Sequence, residues 1–123
     1  MEIEIRKIRE SGTENECLVL RATAACDTGN FLVFDETYND DNTVSNKQRH
    51  LYIFPSHHIE EGDFIWLFTH KEGEYATHKN TSNTITHKFY WGLGNSIWNK
   101  DGDKVYVVHY DEWIMKSFEA QKE

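Results

Sequence analysis

The apolar residues of this chain come in short β-rich runs, and their spacing constrains the fold more than any other feature. Cys17–Ala22, residues 31–34, residues 50–54, Phe64–Phe68 and residues 105–110 are each flanked by polar stretches. Ile3 and Ile5 alternate with charged neighbours, the period-2 pattern of a half-buried strand. The only proline, Pro55, follows Phe54; without a ladder donor it ends a strand or sits on an edge. About six to eight short strands with hardly any helical periodicity predict an all-β protein, an antiparallel β-sandwich.

The connections read as follows. Cys17–Ala22 and residues 31–34 suit a hairpin closed near Gly29-Asn30. Residues 35–48, with Asn39-Asp40-Asp41-Asn42, read as a long polar loop, and residues 70–87 as a second one centred on Asn80-Thr81-Ser82-Asn83. Residues 113–118 fit either a helix capped by Asp111 or the second arm of a hairpin turned at Asp111-Glu112. Their β-branched and aromatic content favours the hairpin. With 123 residues and neither repeat nor linker, residues 1–123 form a single domain.

Thirteen basic against 21 acidic residues give a net charge of −8, which repels phosphate backbones and argues against nucleic-acid binding. No apolar run approaches the roughly 20 residues of a membrane span. The start, Met1-Glu2-Ile3-Glu4-Ile5-Arg6, carries no signal-like apolar region. Cys17 and Cys26 fit no metal or redox spacing and read as reduced thiols, so a cytoplasmic location is expected.

Seven histidines invite a metal site. His57 and His58 are adjacent, however, and on an extended chain they point to opposite faces. His50, His78, His87 and His109 show no ligand spacing, so neither a metal nor a cofactor is expected. Asn99, Asp101 and Asp103 resemble half of a calcium loop, but the glycine is misplaced and the closing glutamate is missing. Asp35-Glu36 and Glu60-Glu61 are acidic turns, and there is no phosphate loop or nucleophile elbow. The expectation is a protein that is not an enzyme. The alternative is a small all-β enzyme or metal-binding protein whose histidines and acidic loop residues converge on one pocket.

One segment is more distinctive. Tyr90-Trp91-Gly92 is followed by Trp98-Asn99 and then Gly102-Asp103, an aromatic–glycine stretch running into a turn before a strand. Gly92 and Gly94 permit positive φ, Trp98 is placed to plug one end of a sandwich, and Asp103 can accept bonds within its own turn. This pattern resembles the lamin tail domain family. Phe54-Pro55, Ile59, Gly62 and Phe64–Phe68 resemble that family's edge strand, turn and following strand, so the likeness covers residues 50–118. In the first third, Glu16 to Ala22 lacks the second Glu and the Asn of the usual opening strand. The resemblance implies an immunoglobulin-like β-sandwich whose task is binding, with the partner unspecified.

Alternation places Phe64, Trp66 and Phe68 on one face of their strand and Ile65 and Leu67 on the other. With Trp113 the three rings form either core or an exposed docking patch. If exposed, they fit a protein partner, with a homodimer as the simplest case.

Overall fold

The computed structural model describes residues 1–38, 44–99 and 103–118, with backbone alone at 36–38 and 44–49. Among them lie ten strands: β1 Ile3–Arg9, β2 Cys17–Ala22, β3 Cys26–Asp27, β4 Phe31–Tyr38, β5 Val44–Ile53, β6 His58–Ile59, β7 Phe64–Phe68, β8 Ala76–Lys79, β9 Ile85–Tyr90 and β10 Val105–His109. They form a five-stranded sheet in the order β1-β2-β7-β9-β8, a three-stranded sheet β10-β4-β5, and the small pair β3-β6. The fold is all-β, and no helix is long and apolar enough to cross a membrane among the described residues.

The strands follow from alternation. Leu18, Leu20 and Ala22 of β2 and Ile65 and Leu67 of β7 turn inward, where Phe31 and Val33 of β4, Phe54, Ile59 and Phe89 of β9 meet them in one buried cluster. Two sheets thus share one core, as in a sandwich. On edge strand β1, Ile3 and Ile5 lie opposite Ala22 and Leu20 on one face, Ile3 buried and Ile5 exposed, and the register shift between Ile5 and Lys7 brings Ile8, opposite Leu18, toward the core.

Several connections depart from the sequence reading. The five-stranded sheet is mixed, because β7 and β9 pair in parallel (Phe64 opposite Thr86, Phe68 opposite Tyr90). Residues 69–84 between them exceed the dozen or so that a parallel crossover requires, and β8 is laid down on the way as an antiparallel edge strand beside β9. The expected loop over residues 70–87 therefore holds β8 and the start of β9. Nor is residues 35–48 only a loop, since β4 and β5 stay paired out to Tyr38 and Val44. Backbone pairing itself needs no apolar side chains, which is why hydropathy missed both stretches.

Cys17–Ala22 and β4 do not form a hairpin. β2 lies between β1 and β7, whereas β4 lies between β10 and β5, and residues 23–30 carry the chain across the sandwich. A 3₁₀ turn at Thr28–Asn30 redirects it, capped by the Asp27 carboxylate, which accepts the Gly29 N–H at 2.7 Å. The buried Thr28 hydroxyl donates to the Pro55 carbonyl at 2.6 Å and accepts the His57 N–H at 3.0 Å. Beyond β10, residues 111–118 are neither helix nor hairpin arm but an exposed, unpaired segment.

Candidate interaction surface

The aromatic–glycine segment closes one end of the sandwich. Beyond β9, the Trp91, Leu93 and Gly94 amides donate to the carbonyls of Phe68, Thr69 and His70, continuing the path beside β7. Gly92 and Gly94 take φ of +72° and +76°, as the sequence predicts. Trp98 is buried, packs toward Trp91 at 6.3 Å, and donates its indole N–H to the Lys104 carbonyl at 3.2 Å. Tyr90 stacks on Phe68 outside the core, Asn99 is exposed, Asp103 is half-buried, and Gly102 and Asp101 lie outside the described residues.

What holds this segment is a residue that spacing did not single out. Glu16 is fully buried, and its carboxylate accepts the Gly12 N–H at 2.9 Å, the Ile97 N–H at 2.9 Å, the Thr69 hydroxyl at 2.7 Å and the Trp98 N–H at 3.3 Å. Ser11 donates to the Trp98 carbonyl and Ser96 to the Thr13 carbonyl, so the β1–β2 loop is stitched to the same place. A buried charge is tolerated where several donors converge on it. The segment is an anchor, and its polar atoms are turned on the protein itself.

The titratable groups form small separate sets. His87 Nε2 lies 2.9 Å from Asp63 Oδ2 and its Nδ1 lies 2.7 Å from the Tyr75 hydroxyl. Burial opposes the Asp63 charge, but hydrogen bonds from His87 and from the Ile85 and Glu60 amides hold its carboxyl below the usual range. Burial, and then the Asp63 charge, pushes the Tyr75 phenol up, so at neutral pH it is a hydrogen-bonding hydroxyl. His57 stacks on Tyr75 at 3.5 Å. The relay ties the turn before β7 to β9; its sequence signal was Thr86-His87, two polar residues inside a strand.

The other histidines go elsewhere. His50 pairs with the buried Asp35 at 3.1 Å, exposed His58 with exposed Glu60 at 2.6 Å, His109 lies against Phe31, and His78 is exposed on β8. No group of three potential metal ligands occurs among the described residues. Cys17 is buried, and desolvation pushes its thiol up to about 12; Cys26 is half-buried and also raised by burial.

Phe64, Trp66 and Phe68 point away from the core, and Ile65 and Leu67 fill it. The rings are nevertheless half-buried, because neighbouring strands cover them. The Arg9 guanidinium sits 4.5 Å from the Trp66 ring centre with Lys88 at 6.0 Å on the same ring, Lys71 lies 5.7 Å from Phe68, and Tyr90 stacks on Phe68 at 5.0 Å. Cys17 and Val19 are sealed on this outer side.

Trp113 does not join these rings. It lies by the outer face of the three-stranded sheet, lining a cleft of about 390 Å³ with Leu32, Ile53, Tyr110 and Ile114. On that face two apolar rungs cross all three strands, Val108–Leu32–Ile53 and Tyr106–Phe34–Leu51. Phe34 stacks on Tyr106 at 4.7 Å, while Leu51, Ile53 and Val108 are exposed. No cation lies over these rings among the described residues. The sequence signal was present in the runs at 31–34, 50–54 and 105–110, where both alternating sets are largely apolar.

Compared with known proteins, the chain matches no protein-family model and no curated protein.

Proposed function

We propose that this chain is a non-catalytic interaction domain, a lamin-tail-like, immunoglobulin-like sandwich that docks a protein partner on the outer face of its three-stranded sheet. One observation carries the reading: Leu51, Ile53 and Val108 of the two apolar rungs lie exposed on that face, and among the described residues no cation lies over its rings, unlike those of the opposite sheet. Contiguous apolar surface of this kind is a recognised mark of an interaction site. The family resemblance rests on the segment around Trp91, Gly92 and Trp98, which supports the fold and leaves the partner open. The net charge of −8 disfavours anionic partners such as duplex DNA. The domain is taken to act in the cytoplasm, where Cys17 and Cys26 stay reduced.

Photo-crosslinking tests the reading. A photoreactive amino acid at Leu51 is expected to capture a protein, and Ile53→Glu in the same chain is expected to abolish the capture. The same probe at His78, exposed on β8, serves as the control. Capture equally strong from His78, or none from Leu51, sinks the proposal.

A further inference from the structure

We infer that the partner is a second copy of this chain, with residues 113–118 of each copy laid across the two apolar rungs of the other. This rests on the docking face proposed above and names what covers it.

Both halves of such an interface are present in one chain. The face supplies Leu32, Phe34, Leu51, Ile53, Tyr106 and Val108. The tail supplies Trp113, Ile114, Met115 and Phe118, which are 71%, 96%, 70% and 84% exposed. Trp113 and Phe118 are aromatics of about 150–250 Å² each, and with Ile114, Met115 and the open parts of the rungs they add toward the roughly 800 Å² per partner of a standard stable interface. The tail starts at the rim of the face, because Tyr110 is pinned there. Its N–H donates to the Asn30 carbonyl at 2.9 Å and its hydroxyl to the Gly29 carbonyl at 2.8 Å.

From that anchor the tail does not cover its own sheet. Trp113 and Ile114 reach only the cleft at the Leu32–Ile53 end, and Leu51 on the inner rung stays 41% exposed. A copy approaching on a two-fold axis places each tail over the other's rungs, and the contact is self-complementary by symmetry. The like charge of −8 on each copy opposes the pairing, and the two rungs themselves contain no charged residue, with Glu112 at the cleft beside them. A membrane surface rich in anionic lipid would be repelled.

Light scattering on the full chain, from micromolar to submillimolar concentration, tests this. The expected mass is twice 14.5 kDa. Ile53→Glu on the face and Ile114→Glu on the tail should each give a monomer with an unchanged circular-dichroism spectrum. Mixing the two variants should partly restore the dimer, because the face of one and the tail of the other remain intact. Should Ile53→Glu fail to fold, Ile114→Glu, on an exposed tail, still decides the point. A parent that is monomeric throughout, or a dimer that survives both substitutions, overturns the inference. A monomeric parent whose Leu51 probe captures a different protein overturns only the second copy. A monomeric parent that captures nothing removes the docking face as well.

Discussion

The two sheets turn very different outer faces to solvent, although both descend from runs rich in large apolar residues. On the five-stranded sheet, Trp66 and Phe68 lie under Arg9, Lys88 and Lys71 and beside Tyr90, and Cys17 and Val19 are sealed among them. On the three-stranded sheet, the Val108–Leu32–Ile53 and Tyr106–Phe34–Leu51 rungs meet Tyr110, Trp113 and Ile114 at one end, and Leu51, Ile53 and Val108 stay exposed. Long cationic side chains can cover apolar surface with their stems while keeping their charge in water. The first face is therefore largely covered within the chain, while Leu51, Ile53 and Val108 on the second stay exposed. An aromatic cluster in sequence marks a site only when its cross-strand neighbours leave it bare.

The contrast presumes one shared interior, and the largest predicted effect probes that. Glu16→Ala strands the Gly12, Ile97 and Trp98 amides and the Thr69 hydroxyl, and is expected to cost about 3 kcal/mol, the scale for charge-assisted bonds lost in a buried site. Urea unfolding reads it directly. A loss below about 1 kcal/mol would mean the segment is held by packing alone.

Next in size, Trp66→Ala is expected to cost about 2 kcal/mol, from half-buried ring area and the lost Arg9 contact. If Trp66→Ala is as mild as a surface change, the five-stranded face is as open as the other and the contrast collapses.

Cover can also be read by pH. The folded Cys17 thiol is raised above its ordinary 9.0 to about 12, so the folded state keeps a proton that the unfolded chain releases. The contribution of this thiol is unchanged below pH 9.0 and falls as pH rises from there toward about 12, at up to about 1.4 kcal/mol per pH unit, beside that of the buried Tyr52 phenol. Cys17→Ala should flatten that part of the alkaline unfolding curve. An unchanged curve would show that the thiol is not sealed.

The smallest effect belongs to the bare face. Leu51→Ser and Val108→Ser are expected to change monomer stability by less than about 0.5 kcal/mol, as for substitutions at exposed positions without special partners. Losses as large as that of Trp66→Ala would place these residues under cover.

Much of the fold is legible in the sequence. Cys17–Ala22 and Phe64–Phe68 are strands with the bounds that hydropathy gives them, because a short continuous run of apolar, β-rich residues is a local property of the chain. Trp98 is buried as its place before a turn suggested, and Gly92 and Gly94 have the positive φ their lack of Cβ allows. Edge strand β8 was not legible, since all four of its residues are exposed and its pairing with β9 lies in the backbone alone. Neither was Glu16 as an anchor, because its partners are up to 82 residues away and nothing in the spacing joins them.

The sequence by itself determined that this chain is all-β, that Ile65 and Leu67 share one face of β7 and Phe64, Trp66 and Phe68 the other, and that its net charge is −8. Those are properties of composition and of the two-residue period. Only the tertiary structure decided that β7 pairs in parallel with β9, that Arg9 and Lys88 cover Trp66, and that Trp113 stands with Leu32 and Ile53 instead of with Phe64. Cover is a relation between strands distant in sequence. Alternation says which side chains leave the core, but only the order of the strands says what they meet on the outside.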